Sequence, residues 1–259
     1  EVAVTQVQPP DKPRLQVRVA GAPLTARLQT ALTVLLEKLL GLRTDLTAFY
    51  RFAARQSRLG PLAQRFRGMK PPRFPSLFET LINGIACQQV TLTLGIRLLN
   101  RLSEMYGLPP SAGEAPGQAF PRPEDLARAT METLRPLGFS RQKARAMIEL
   151  ASAVAEGHLD LNSLADLEDE EAIAALRRLR GVGRWTAEYV LLRGLGRSHI
   201  FPGDDVGGRN NLRRWLGLTE NLDYDGVSRT LTRWKAYGGL IYFHLLLDRL
   251  AEAGHVSVS

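Results

Sequence analysis

The sequence predicts a mainly α-helical protein opened by a small α+β unit. From residue 76 to near the C-terminus, apolar residues recur at spacings of three and four, broken by short Gly- or Pro-containing turns. In the first 20 residues they alternate instead, which is the period of strands. The 259 residues, 44% hydrophobic and 23% charged, suit one large or two modest folded domains and exclude a disordered or fibrous chain.

Val2 and Val4, then Leu15, Val17 and Val19, fall on one face of two strand-like runs separated by Pro9-Pro10 and Pro13. Helical spacing follows from Leu24 to Leu40, ended by Gly41, and again from the Asp45 region to about Gln56. These pieces make a small N-terminal α+β domain, residues 1–67. The chain starts at Glu1 rather than Met, so an N-terminal piece is expected to have been removed. Gly68-Met-Lys-Pro-Pro-Arg-Phe-Pro75 is the best linker candidate. Residues 68–259 read as helices. Ser76 caps the first, which runs through Ile85, and the next spans about Leu92 to Tyr106. Leu108 to Pro123 is loop, and patterns recur at 124–135, 141–156, 169–178, 184–195, 206–216 and 224–251, the last interrupted around Gly238-Gly239. Leu134 to Gly138 and the helix after it weakly echo Leu176 to Gly183 and theirs.

One cysteine excludes a disulfide framework, a cysteine-rich zinc site and a four-cysteine iron–sulfur cluster, and Cys87 is expected as a small buried apolar residue. His158, His199, His244 and His255 show no ligand spacing and are expected at the surface or in the core. No apolar run approaches the roughly 20 residues needed to span a bilayer. No signal-peptide pattern opens the chain, so a cytoplasmic protein with no membrane partner is expected. The net charge is +8, with 34 basic residues against 26 acidic ones. Nine arginines and only three acids lie between Leu176 and Arg214. That concentration points to a polyanionic partner.

Within that segment, Leu179-Arg-Gly-Val-Gly-Arg184 separates two helical patterns. Gly181 and Gly183 allow a tight hairpin, and the helix starting at Arg184 offers backbone N–H groups and a positive dipole end to a phosphate. By itself such a pair of glycines is a helix–helix turn. The flanking Arg177, Arg178, Arg180 and Arg184 favour a DNA backbone. Trp185 and Tyr189, four apart, share a helix face, and core packing explains them equally well. Phe201-Pro-Gly-Asp-Asp205 turns into another helix; adjacent acids there are ordinarily a cap and a first-turn charge. A carboxylate in so basic a segment also suits stabilisation of positive charge in a reaction.

The order of hairpin, helix and Gly-Asp-Asp turn resembles the helix–hairpin–helix DNA glycosylase superfamily, whose signature ends in an invariant aspartate. The likeness is greatest to the bacterial 3-methyladenine DNA glycosylase II (AlkA) type. It extends from about Phe74 to Arg214, through Phe78 to Ile82, Cys87 to Val90, Phe120 to Pro123, Leu137 to Ala144, Gly181 to Tyr189, Leu192 to Gly194 and Phe201 to Asp205. The resemblance implies helical glycosylase domains behind a truncated N-terminal α+β domain. The helix–hairpin–helix motif falls at about 170–195 and the aspartate loop at 200–209. It implies Asp205 as the catalytic residue, with Asp204 its neighbour and cap, and Trp185 and Tyr189 lining the base pocket. Gly181, Gly183, Arg184 and Thr186 would hold a DNA phosphate, the glycines and Thr186 through backbone N–H groups. Gln89 would wedge into the duplex where a base leaves. No cofactor is required. Na+ or K+ at the hairpin would be held by the carbonyls of Arg177, Leu179 and Val182. The implied partner is double-stranded DNA containing damaged bases, met by a monomer.

Bifunctional relatives place a lysine directly after the G-x-G-x motif; here the residue is Trp185, so release of the base without strand cleavage is implied. The expected substrates are alkylated purines of the 3-methyladenine and 7-methylguanine type. Two departures bear on the pocket. Trp234-Lys-Ala-Tyr-Gly-Gly239 replaces a Trp-x-Pro-aromatic-Arg-Ser run, which implies a wider or less aromatic pocket, and the wedge is Gln rather than Leu. A glycosylase for oxidised, deaminated or mismatched bases, and a non-catalytic DNA-binding module, remain the alternatives.

Overall fold

The computed structural model describes residues 2–8, 14–109 and 117–256. The Pro9-Pro10 and Pro13 separators and residues 110–116 of the expected loop lie outside them. Strands β1 (Val2–Gln6) and β2 (Leu15–Val19) pair antiparallel, with Val2 opposite Val19 and Val4 opposite Val17. Direct opposition places those valines on one face, as their alternation predicts. Helix α1 (Ala26–Leu39) follows and carries no buried residue.

Next come α2 (Thr47–Ala53) and α3 (Leu59–Arg65). The sequence reading missed α3, because Gly60-Pro61 reads as a breaker. Proline is tolerated in a first turn, where its absent N–H has no helical partner. Helix α4 (Leu77–Cys87) is capped by Ser76 Oγ, which accepts from Glu79 N–H at 3.0 Å. Helix α5 (Leu92–Tyr106) is capped by Thr91, and its Gly95 lies against Cys87, which is half-buried rather than buried. The single helix expected over 124–135 is instead α6 (Pro123–Leu126), α7 (Met131–Leu134) and a tight turn at Arg135–Leu137. Thr130 opens α7 with its N–H on Thr133 Oγ1, so one helix stops where the next is capped.

The remaining helices are α8 (Arg141–Ala155), α9 (Asp169–Arg177), α10 (Arg184–Tyr189), α11 (Val206–Leu216), α12 (Tyr224–Leu231) and α13 (Gly238–Glu252). The last break falls before Gly238, so both glycines open α13 rather than interrupt it.

The packing divides the chain into two compact units, residues 1–37 with 85–159 and residues 38–84 with 160–259. A boundary at residue 67 is therefore not the one drawn by burial. Phe49, Ala53, Leu59, Leu62 and Phe66 bury their apolar surface in one core with Leu212, Val227, Trp234, Ile241 and Leu245. The expected linker is pinned within this second unit: Arg73 N–H bonds to Leu39 O and Phe74 N–H to Arg193 O, both at 3.0 Å. The first unit has its own core, including Leu98, Leu102, Leu126, Leu134, Phe139 and Met147.

Candidate functional site

Helix α9 opens with Asp169, Glu170 and Glu171, favourable against its positive end, and stops at Arg177. The chain then reverses through Gly181, whose φ of +75° demands glycine. Gly183 is different. It is the extended N-cap of α10, and a Cβ on it would meet nothing within 4 Å. The turn therefore needs only one of its two glycines, and the second leaves open space at the mouth of α10. Ala187 N–H makes the first bond of the helical ladder, to Gly183 O, so the N–H groups of Arg184 to Thr186 precede it. The Thr186 side chain is buried against Gly84, so only its backbone is at the helix mouth.

Part of this segment's charge is taken up within the fold. Arg197 is tied to Asp169 at 2.8 Å, and Arg214 to Glu252 at 2.8 Å. Arg193 lies over the rings of Phe74, Tyr189 and Phe243. Arg177, Arg178, Arg180 and Arg184 remain exposed, on the hairpin itself, with the Arg184 guanidinium 4.2 Å from the Tyr224 ring centroid.

Asp205 is the N-cap of α11, its Oδ1 accepting from Gly208 N–H at 2.5 Å. The capping role expected of Asp204 thus belongs to Asp205. Its other oxygen accepts from Trp185 Nε1–H at 2.9 Å and from the Tyr242 hydroxyl at 3.3 Å. Three donors from three elements hold one carboxylate at the edge of the hairpin helix. Tyr242 comes from α13 and was not anticipated. It reaches Asp205 because Gly238 and Gly239 let that helix dock against residues 198–201. A Cβ on Gly239 would come within 2.7 Å of the carbonyls of Ile200 and Ser198, and one on Gly238 within 2.6 Å of His199 O. The Gly238-Gly239 pair is thus what lets α13 come this close to the turn.

Trp185 and Tyr189 stack on each other, 5.3 Å between centroids and 24° apart. Nothing can sit between rings already in contact, so the two do not form a slot with a gap between them. Tyr189 backs it, donating its hydroxyl to Asn83 Oδ1 at 3.0 Å. Below them α10 widens into a π-helical turn, Val190–Leu195, a feature common at functional sites.

Gln89 lies in the first unit, exposed, at the turn after α4. Among the described residues it alone combines a side chain with a positive φ, +53°. The backbone cost of that conformation persists where the surroundings impose it. Here the fixing group is Lys143, whose ammonium donates to Ala86 O at 2.9 Å and Gln88 O at 2.6 Å. Burial lowers the Lys143 pKa from its ordinary value.

A surface cavity of about 930 Å³ also lies in the first unit, lined by Arg135, Arg141, Arg145, Glu132 and Glu149 among others. It holds none of the expected site residues, so volume alone does not mark the site. Among the described residues no cluster of three or more His, Cys, Asp or Glu could hold a metal ion. No helix is long and apolar enough to cross a membrane. His199 pairs with Asp169 at 2.6 Å and His244 is buried with Nδ1 on Leu240 O, surface and core roles as expected.

Residues 82–236 match the HhH-GPD superfamily of base excision DNA repair proteins. The DNA-3-methyladenine glycosylase of Bacillus subtilis is 30% identical over 204 residues, 79% of this chain and 67% of the relative. DNA-3-methyladenine glycosylase 2 of Escherichia coli is 31% identical over 188 residues, 72% of this chain and 63% of the relative. The chain thus spans about two thirds of the length of these relatives. The solved 3-methyladenine DNA-glycosylase from Archaeoglobus fulgidus superposes with a TM-score of 0.80 at 28% identity, over 96% of this chain and 83% of that one. The hairpin, the Asp205 turn and helices α9 to α11 all lie inside the matched stretch, and the chain belongs to the HhH-GPD superfamily of base excision DNA repair proteins.

Proposed function

We propose that the chain is a monofunctional DNA glycosylase, acting as a monomer to flip alkylated purines of the 3-methyladenine and 7-methylguanine type from duplex DNA and release them by hydrolysis. The observation that carries this reading is the Asp205 carboxylate, oriented by Trp185, Tyr242 and Gly208 next to the helix that follows the Gly181–Gly183 hairpin.

Chemistry on a base requires the nucleotide to leave the stack. The N–H groups of Gly181, Gly183 and the first turn of α10 would grip the strand, with Arg184 beside them, while Gln89 fills the vacated space. Breaking the N-glycosidic bond leaves positive charge on the deoxyribose, an oxocarbenium-like state. A carboxylate already fixed in direction stabilises that charge without reorganising as it forms. Alkylated purines carry positive charge before the bond breaks, and the outer face of Trp185 favours such a base over a neutral one by about 1–2 kcal/mol. The position where a lysine nucleophile would stand is Trp185, whose Nε1–H is bonded to Asp205, which supports release without strand cleavage.

The carbonyls of Arg177, Leu179 and Val182 would hold Na+ or K+ at the hairpin. They are neutral oxygen donors, and that of Leu179, already accepting from Val182 N–H at 3.2 Å, keeps a second lone pair. Such an ion would neutralise part of a bound phosphate's charge.

The test is base release from methylated duplex DNA. Asp205→Asn, which keeps a side chain able to cap α11, is expected to abolish release with DNA affinity equal or higher. Retained turnover would refute the assignment of Asp205. Borohydride trapping of a covalent protein–DNA adduct from wild-type protein would overturn the monofunctional reading.

A further inference from the structure

The mechanism above leaves one buried carboxyl without a task. Glu188 is 3% exposed, three positions after Trp185 on α10. Its Oε2 accepts from Gly203 N–H at 2.9 Å and its Oε1 from the Tyr224 hydroxyl at 2.7 Å. Gly203 is two residues before Asp205, and the Asp205 N–H bonds back to Pro202 O at 3.0 Å. Gly203 is also pressed on Tyr224, since a Cβ there would come within 2.7 Å of its ring. Helix α10 therefore holds the acidic turn at two points. Trp185 takes the Asp205 side chain, and Glu188 takes the backbone behind it and fastens it to α12.

We propose that Glu188 is a positioning residue for Asp205: its carboxylate sets the distance between the turn and Trp185 by binding Gly203 and Tyr224 together. This rests on the reading of Asp205 as the catalytic group. Both bonds run toward the carboxyl oxygens, so Glu188 ties the two elements together as an acceptor.

Burial pushes the Glu188 carboxyl up to about 7, and the charge of Asp204 adds to that, against the two hydrogen bonds and Arg184, which favour the ionised form. The charged and titratable groups around it are Arg184 on α10, Asp204 in the turn, with Asp205 next to it, and Tyr224 on α12. Tyr224 in turn feels Glu170 from α9, and burial and Glu188 push its phenol up to about 12. Tyr224 therefore stays a donor while Glu188 titrates.

Two readouts decide the proposal. The first is hydrogen-exchange protection of residues 200–208, corrected for the intrinsic rate at each pH, in wild type, Glu188→Ala, Glu188→Gln and Tyr224→Phe. Protection of that stretch is expected to fall at least about tenfold in Glu188→Ala, with the hairpin at 178–183 unchanged. In wild type it should fall as pH rises through about 7, because an opened turn lets Glu188 ionise at its ordinary value, a dependence absent from Glu188→Gln. The second is single-turnover base release. Glu188→Ala should lower the maximal rate by about tenfold to a hundredfold while half-saturation by DNA stays within about twofold. Unchanged protection in Glu188→Ala, or a step near pH 7 that persists in Glu188→Gln, overturns the proposal. If wild-type protein releases no base, the proposed function fails, while exchange still decides what Glu188 holds. Should Glu188→Ala not fold, the glutamine and phenylalanine variants carry the exchange test.

Discussion

Removing the Tyr242 hydroxyl tests whether α13 helps orient Asp205. In Tyr242→Phe the ring stays packed edge-on against Phe201, 5.4 Å between centroids, so only the bond to Asp205 Oδ2 is lost. Hydrogen bonds to charged groups contribute about 1.5–3 kcal/mol. At 3.3 Å this bond is longer than the usual hydroxyl–oxygen range, so the lower end applies, about 1.5 kcal/mol or roughly tenfold in rate. Trp185→Phe removes a bond of ordinary length, 2.9 Å, and part of the stacking face, for about 2–3 kcal/mol or 30- to 150-fold. Burial and the charge of Asp205 push the Tyr242 phenol far above its ordinary value, so it remains a donor at every working pH and its removal should cost the same from pH 6 to 9. The assay is single-turnover release from methylated duplex DNA at saturating protein, with thermal melting as the control on folding. Tyr242→Phe at the wild-type rate, with Trp185→Phe slowed as expected, would show that α10 and the α11 cap orient Asp205 unaided. It would sink the case for α13.

Three further outcomes follow from the geometry. Gly181→Ala forces a side chain into φ +75° and should cost about 1–2 kcal/mol of stability. Gly183→Ala, whose Cβ enters open space, should leave melting unchanged but weaken DNA binding; equal effects of the two on both measurements would contradict the division of labour. Trp234→Ala empties a site 1% exposed in the second core and should cost about 3–5 kcal/mol, read as a fall in the denaturant midpoint. Glu188 sets a pH dependence of stability. Its folded value, about 7, lies above the ordinary 4.5, so between these the native state holds a proton that the unfolded chain has lost. The contribution is fully present below about pH 4.5 and disappears as pH rises through about 7. Wild type should therefore lose stability relative to Glu188→Gln from pH 5 to 8; a difference flat in pH would contradict the raised value.

Much of this was legible because the signals were local. The helix cap at Ser76 is followed three residues on by the N–H it accepts from, and alternation put Val2, Val4, Val17 and Val19 on one face, where they pair. The hairpin and the acidic turn sit within 25 residues of one another, so residue order exposed them. What escaped was set by distant partners. Nothing near Tyr242 says that it meets Asp205, because that contact spans 37 positions and depends on two glycines docking against Ser198 to Ile200. Glu188 was counted as one of three acids in a basic run; its burial becomes visible only once Gly203 and Tyr224 close over it. The packing of residues 46–66 was hidden in the same way. Prolines mark a break in regular structure, and Phe49, Leu59 and Leu62 are assigned by what covers them, which lies beyond residue 200.

The ordinary and the functional readings of Asp204-Asp205 converge on one side chain. As an N-cap, Asp205 has one oxygen committed to Gly208 N–H, and this fixes the carboxylate on the axis of α11 before any substrate arrives. The second oxygen is then aimed by an indole and a phenol, neither of which can take its charge away. A carboxylate held so firmly suits electrostatic stabilisation, which needs fixed orientation, better than proton transfer, which needs an accessible lone pair. The surrounding arginines divide in the same way. Those at the hairpin are exposed, whereas Arg197 and Arg214 are taken up by Asp169 and Glu252. The exposed positive charge thus stays on the turn, and the Asp205 carboxylate beside it is held in one direction, as the proposed stabilisation of a cationic sugar requires.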